Sequence, residues 1–168
     1  LMAKICAPTN PEMSEREKRN FARVRHIAAQ GMVLLKNNGI LPLDPVKIKT
    51  IAVVGPNADS VRNMLGDYTY PAHIESLIEV KVTDNALAQP VPDDVDTDHI
   101  HLPHMKSILT AICDNLEGQA RILYSKGCDV LGSCADGIED AVKIASQADL
   151  VIAVLGDKAG VVEYCSTG

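Results

Sequence analysis

The sequence predicts an α/β protein, a three-layer α/β/α sandwich built on a mainly parallel sheet. Two short segments, residues 50–54 and 150–155, are apolar throughout and rich in β-branched side chains. This pattern is typical of strands that are buried on both faces. A third strand is predicted at 120–124, with helices at 107–116 and 137–147 on either side of it. Strands and helices therefore alternate, as they do in parallel α/β folds.

A long N-terminal helix is predicted to precede the sheet. Ser14 and Glu17 form the Ser-x-x-Glu pattern of a capping box, which marks a helix start. Five apolar residues then recur at helical spacing: Phe21, Val24, Ala28, Met32 and Leu35. Asn37, Asn38 and Gly39 favour the left-handed conformation that ends a helix, so we expect the helix to stop there. We expect its apolar stripe to anchor a helix that enters from an upstream domain.

The composition excludes several classes of function. The 168 residues are 46% hydrophobic and 23% charged, which suffices for one domain with a core. The net charge of -6 leaves no concentrated basic surface for phosphates, and no apolar run approaches the roughly 20 residues of a membrane span. We therefore expect neither a nucleic-acid partner nor a membrane partner. The sequence assigns no cellular location.

No cofactor is indicated. The five cysteines are Cys6, Cys113, Cys128, Cys134 and Cys165. They contain no Cys-x-x-Cys pair and are interpreted as free or buried thiols. The loop after Gly55 lacks the further glycines of a dinucleotide fingerprint, and Pro56 has no backbone N–H for a phosphate.

The segment 80–103 is predicted to be a mobile surface insertion, because it carries three prolines, five acidic residues and little periodicity. Its carboxylates and histidines, with His104 nearby, suggest a cation site. The calcium-loop pattern fails, however. Counted from Asp94, the glycine position holds His99 and the closing glutamate position holds Met105. A solvated acidic loop is the preferred interpretation, and we assign no metal.

Four segments carry a resemblance to a known family. They are VLLKNNGILPL at 33–43, IAVVGPNADSVRNMLGDYTYPAH at 51–73, YSKGCDV at 124–130 and ADLVIAVLGDKAG at 148–160. In this order they resemble the second domain of glycoside hydrolase family 3 enzymes, the beta-glucosidases, beta-xylosidases and relatives. The resemblance covers most of 31–168 except the acidic insertion, and it departs from the family at 161–164, where relatives often have a polar stretch. It implies that 1–49 lead from an upstream (β/α)8 barrel domain and that 50–168 form part of a sandwich domain, with the insertion at about 80–103.

The resemblance implies the chemistry of a retaining glycosidase that hydrolyses terminal beta-linked glucose or xylose from an oligosaccharide or aryl glycoside. Such enzymes place two carboxyl groups roughly 5 Å apart across the glycosidic bond. The barrel aspartate would lie upstream of Leu1, and in the family a glutamate, the acid/base, directly follows the sequence that Ser166–Gly168 resembles. Glu163 and Asp157 are interpreted as surface carboxylates. We therefore expect no catalytic residue here, and no activity from this chain alone.

The resemblance also points to two loops as contacts. The first contains Gly66, Asp67, Tyr68, Tyr70 and His73. Asp67 could accept hydrogen bonds from sugar hydroxyls and Tyr68 could stack on a ring, but a Tyr70-Pro71 turn that packs against the next domain is an equally open interpretation. The second contains Gly156, Asp157, Lys158, Ser166, Thr167 and Gly168. It would position the acid/base glutamate, and the alternative for Asp157 and Lys158 is a simple surface ion pair.

A function without chemistry is the alternative: a small-molecule binding or interaction module on a similar sheet. Ligands of parallel sheets lie beyond the carboxyl ends of the strands, so the loops that begin at Gly55 and Gly156 are the sites to inspect. If the domain is separated from its barrel, we expect an exposed apolar docking face and self-association through it.

Overall fold

The computed structural model describes residues 14–44, 46–75, 105–133, 135–160 and 165–167. The helices and strands are α1 (Glu15–Gln30), β1 (Thr50–Val54), α2 (Ile108–Asn115), β2 (Arg121–Ser125), α3 (Ile138–Ala145) and β3 (Leu150–Ala153). A short 3-10 turn at Arg62–Met64 and a helical stretch at 70–75 follow β1. The predicted insertion at 80–103, with its candidate metal ligands, lies outside the described residues.

The three strands form a parallel sheet in the order β2-β1-β3, so the predicted α/β class is confirmed. Strand β1 is central. It pairs with β2 from Thr50 opposite Arg121 onward, and with β3 from Ile51 opposite Leu150 onward. Its three middle residues are buried, as the sequence predicts for a central parallel strand.

The core lies between β1 and α2. Its buried residues are Ile51, Val53, Ala58, Ile112 and Leu116. Ser107 caps α2 by accepting a hydrogen bond from the Thr110 amide at 3.1 Å. The same hydroxyl donates to Asp59 Oδ1 at 2.7 Å. The cap of α2 is thereby attached to the loop that follows β1.

Two predicted boundaries are wrong. Helix α1 starts with the predicted capping box at Ser14 but ends at Gln30, with Gly31 as its cap. Asn37 does not end the helix, because its Oδ1 accepts from the amides of Gly39 and Leu41 in a separate local loop. No residue of α1 is fully buried, and Val24 and Ile27 are 63% and 66% exposed.

The last strand also differs from its prediction. It ends at Ala153 rather than at 155, and its burial alternates along the strand. Val151 is 44% exposed, so the prediction that this strand is buried on both faces is wrong. Among the described residues, β3 has β1 as its one neighbour and therefore lies at an edge of the sheet. No helix in the described part of the chain has the length and apolar character to cross a membrane.

Candidate functional site

Loops from all three strands meet at the carboxyl edge of the sheet. The Gly55 amide donates to the Ser125 carbonyl at 3.2 Å, and the Asn57 amide donates to the Val154 carbonyl at 3.4 Å. Gly55 has φ +117°, and a Cβ added to it would lie 2.2 Å from the Val154 oxygen. Only glycine therefore lets the loop after β1 approach the end of β3 so closely.

A cavity of about 550 Å³ opens between these loops. Its lining residues are Pro56, Asp59, Ser60, Asn63, Tyr124, Lys126, Asp129, Val130, Leu131 and Lys158. Two carboxylates and two lysines balance its charge, and Lys126 forms an ion pair with Asp129. The hydrogen bond to Asp129 raises the pKa of Lys126, while burial and the negative charge of Asp59 raise the pKa of Tyr124. The cavity is therefore polar, electrically balanced and large enough for a small ligand.

The predicted acid/base loop folds back on itself, and we call the paired segments 157–160 and 165–167 the returning loop. The Lys158 amide donates to Ser166 Oγ and the Ser166 amide donates to the Lys158 carbonyl, both at 2.9 Å. The Gly160 amide donates to the Thr167 carbonyl at 2.9 Å. Asp157 does not pair with Lys158 here, since its Oδ1 lies 3.1 Å from the Ser166 hydroxyl. Gly168 lies outside the described residues, and so does Glu163.

Arg62 connects this loop to the rest of the site. Its Nε donates to Glu75 Oε2 at 2.8 Å, and its Nη2 donates to the Ala159 carbonyl at 2.9 Å. The Arg62 side chain is only 16% exposed, and Lys158 Nζ lies 3.9 Å from the same Glu75 oxygen. A guanidinium can make such bonds in two directions at once because its donors point along a rigid planar fork. Arg62, Glu75 and Lys158 form a unit that we call the arginine clamp.

A pair of asparagines adds a second connection. Asn63 Nδ2 donates to Asn57 Oδ1 at 2.8 Å, and Asn57 Nδ2 donates to the Asp157 carbonyl at 3.4 Å. Sequence analysis singled out neither the asparagines nor the arginine clamp. The available signal was Arg62 itself, a charge between Val61 and the apolar Met64, since a charged group near a core requires a partner.

The predicted contact loop with Gly66, Asp67 and Tyr68, which we call the Gly-Asp-Tyr loop, lies outside the lining of the cavity. Tyr68 is fully exposed, Tyr70 is 74% exposed, and Gly66 and His73 are also exposed. None of these four residues, nor Asp67, lines the cavity. Tyr70 begins the helical stretch 70–75, and that stretch carries Glu75 of the arginine clamp. Packing of Tyr70 and Pro71 against a neighbouring domain stays a prediction.

Asp67 is the polar group of this loop that stands apart. Its Oδ1 is buried and has no hydrogen-bond partner in the part of the chain that the structure describes. A buried acceptor without a donor is costly, so this atom has capacity for one more contact. Its assignment as an acceptor for sugar hydroxyls stays a prediction.

No metal centre is formed by the described residues, because no three His, Cys, Asp or Glu side chains converge among them. Three of the cysteines, Cys113, Cys128 and Cys165, are described, and each is a free thiol.

The fold and its loops define the class: an α/β domain whose functional groups gather at the carboxyl edge of a parallel sheet. Residues 32–165 match the Glycosyl hydrolase family 3 C-terminal domain, and the chain belongs to this family. The resemblance seen in the sequence is thus confirmed.

Relatives with known names are glycosidases. The chain is 30% identical over 141 residues to a "Beta-xylosidase" of Formosa agariphila, covering 83% of this chain and 16% of the relative. It is 32% identical over 157 residues to "Beta-D-xylosidase 3" of Arabidopsis thaliana, covering 90% of this chain and 14% of the relative. A solved beta-glucosidase involved in saponin metabolism from intestinal bacteria superposes with a TM-score of 0.53 and 26% identity, covering 95% of this chain and 23% of that one. The chain thus spans about a sixth of the length of these curated relatives.

Proposed function

We propose that the chain is the sandwich domain of a retaining glycosidase that hydrolyses terminal beta-linked glucose or xylose. The observation that carries this proposal is the returning loop at the carboxyl edge of the sheet. Its two segments are held together by two backbone–backbone hydrogen bonds at 2.9 Å and by a third bond from the Lys158 amide to the Ser166 hydroxyl. Its supporting context is membership of family 3 and the xylosidase and glucosidase names of the relatives. On this proposal, residues 1–49 lead from a barrel domain, and 50–168 form part of the sandwich.

In the proposed mechanism the two carboxyl groups come from different parts of the parent protein. A barrel aspartate attacks the anomeric carbon and forms a glycosyl-enzyme intermediate. A glutamate that directly follows Gly168 protonates the leaving oxygen and then, as a base, activates the water that hydrolyses this intermediate. The chain itself supplies neither carboxyl group. It supplies the loop that positions the acid/base glutamate, because the pairing within the returning loop holds the backbone at Thr167.

The Gly-Asp-Tyr loop would contact the substrate or the barrel. The ring of Tyr68 is free to stack on a sugar, and Asp67 Oδ1 has an unused acceptor position. Either an oligosaccharide or an aryl glycoside offers the hydroxyl groups and the apolar ring face that these side chains suit.

The test compares the 168-residue chain with the full-length product of its gene on p-nitrophenyl beta-glucoside and beta-xyloside. We expect turnover by the longer protein and none by the chain alone. Sequencing of the gene beyond the Gly168 codon should show a glutamate, and its replacement by glutamine should lower turnover about 100-fold or more. Hydrolysis by the purified 168-residue chain would overturn the proposal that both catalytic carboxyl groups lie outside these residues.

The cavity supports the alternative of a binding module without chemistry. With two carboxylates, two lysines and one tyrosine, it suits a small neutral polar ligand such as a monosaccharide. Titration calorimetry with xylose and glucose, on the native protein and on Lys126→Gln, distinguishes the two functions. Saturable binding that Lys126→Gln weakens, in a protein without turnover, would favour the binding module.

A further inference from the structure

We propose that Arg62 is the positioning residue of the general acid, because the arginine clamp fixes the returning loop against the helical stretch 70–75. This inference rests on the proposed function and deepens it. Arg62 is not a catalytic residue in this proposal, since an arginine does not donate a proton to a leaving group at ordinary pH. It acts through the loop backbone, at the carbonyl of Ala159.

The contacts of Arg62 join the helical stretch 70–75 to the returning loop. Arg62 Nε donates to the Glu75 carboxylate, which belongs to a different segment of the chain, and Nη2 donates to the Ala159 carbonyl in the returning loop. Ala159 also forms the bridge with Thr167, so the arginine contact lies directly beside the pairing of the two loop segments. A movement of Arg62 is therefore transmitted to Thr167, after which the general acid would follow.

The burial of the clamp makes it rigid. A charged side chain that is only 16% exposed is held by its partners, because without them its desolvation is not compensated. Arg62 Nη1 is buried too, and it has no hydrogen-bond partner within the described residues. Close packing continues at Gly160, where an added Cβ would lie 3.1 Å from Arg62 Nη2 and 2.5 Å from Cys165 Sγ. The guanidinium thus has little freedom to find another position.

Loss of a positioning residue for the general acid can be distinguished from partial unfolding by how the rate depends on the leaving group. A poor leaving group needs its proton in the transition state, whereas a good one departs as an anion without it. If Arg62 positions the acid, its loss should slow poor leaving groups far more than good ones. A variant that merely unfolds part of the protein would slow both equally.

The experiment uses the full-length protein with Arg62→Met, Arg62→Lys and Glu75→Gln. Lys106→Met is the matched control, because it removes an ion pair of similar length, Lys106 to Asp114 at 2.6 Å, that does not touch the returning loop. Aryl beta-glycosides with leaving groups from 2,4-dinitrophenol to phenol are compared by kcat/KM. We expect Arg62→Met to lose about 10- to 100-fold on the phenyl glycoside and less than about 3-fold on the dinitrophenyl glycoside, with Arg62→Lys between it and the native protein.

Amide hydrogen exchange gives a second measurement that does not require turnover. The amides of Lys158, Gly160 and Ser166 are hydrogen-bonded within the returning loop, so Arg62→Met should make them exchange at least about 10-fold faster. Amides of β1 should not change, and Lys106→Met should leave the loop unaffected.

Three outcomes would overturn the inference: equal loss on all leaving groups, unchanged exchange in the returning loop, or an equal effect of Lys106→Met. Failure of the proposed function looks different. In that case the native protein hydrolyses none of the glycosides, while the faster loop exchange in Arg62→Met still reports that the clamp holds the loop.

Discussion

Asp149 joins the start of β3 to the start of β1 through a single carboxylate. Its Oδ2 accepts hydrogen bonds from the amides of Lys49 at 2.9 Å and Thr50 at 2.8 Å. These two backbone donors lower the pKa of the Asp149 carboxyl below its ordinary 3.8. Because the folded pKa is lowered, the ionised carboxylate stabilises the fold above about pH 3.8, and this stabilisation is lost as the pH falls through the folded pKa.

Replacement of Asp149 by alanine should therefore destabilise the protein at pH 7 and matter less in acid. We expect a lower urea midpoint for Asp149→Ala at pH 7 and a difference from the native protein that shrinks as the pH falls below about 3.8. Asp149→Asn is the matched control, since it keeps one acceptor oxygen but cannot titrate. A deficit of Asp149→Ala that does not shrink as the pH falls below about 3.8 would contradict this account.

Gly55 is the residue on which the meeting of the three loops depends. Gly55→Ala would place a Cβ 2.2 Å from a backbone oxygen at a φ of +117°, so we expect a loss of about 3 kcal/mol or more in the free energy of unfolding. Gly118→Ala is the control, because Gly118 has φ +70° but open space around it and should lose only about 1 kcal/mol. Urea denaturation measures both. Equal losses would mean that the φ angle alone, and not the contact with Val154, requires glycine at position 55.

At the scale of elements, we expect the central strand β1 to contribute more to stability than the edge strand β3. Ile51 is almost wholly buried in β1, while Val151 on β3 is 44% exposed. Ile51→Ala should lower the free energy of unfolding by about 2–5 kcal/mol, and Val151→Ala by less than about 1.5 kcal/mol. Denaturant titration of both variants compares the centre of the sheet with its edge. A similar loss at the two positions would show that the Val151 side chain is covered in solution.

The sequence predicts where the helices begin better than it predicts where helices and strands end. Ser14 and Ser107 signal their helices locally, because the serine hydroxyl bonds to an amide three residues away. The end of β3 depends on a distant loop: the Val154 carbonyl accepts from the Asn57 amide instead of continuing the strand pairing. No periodicity within 150–155 contains that information.

The difference between local signals and contacts over long sequence distances also explains which site residues could be predicted. Asp157 and Lys158 directly follow a recognisable strand, so the parallel topology predicts that they lie at the edge of the sheet where ligands bind. Ser166 was predicted from the resemblance to the family. Arg62 was missed because its partners lie 13 and 97 residues away along the chain. A long-range ion pair leaves no spacing pattern in the sequence, and it becomes visible only when the fold brings Glu75 and Ala159 to the same place.

At the scale of the whole molecule, several apolar side chains at the N-terminal side are exposed and are covered by none of the residues that the structure describes. The exposed apolar residues of α1 and the segment that follows it are Val24, Ile27, Met32, Val33, Leu34 and Leu35. Leu35 is 93% exposed and Val33 is 79% exposed. A run of exposed apolar residues of this kind is typical of an interaction site in soluble proteins. Since the relatives are about six times longer than the matched region, we propose that an upstream domain of the same polypeptide covers this face.

Without such a cover, the 168-residue chain should self-associate through this face. In sedimentation velocity we expect the average sedimentation coefficient of the isolated chain to rise between about 5 and 200 μM, since burial of exposed leucine and valine is favourable by roughly 25 cal/mol per Å². The double variant Val33→Lys and Leu35→Lys should remain monomeric over this range. Val142→Lys is the control, because Val142 is 62% exposed on α3 and lies outside the uncovered face. A native chain that stays monomeric at every concentration, or an equal effect of Val142→Lys, would show that this apolar face needs no partner.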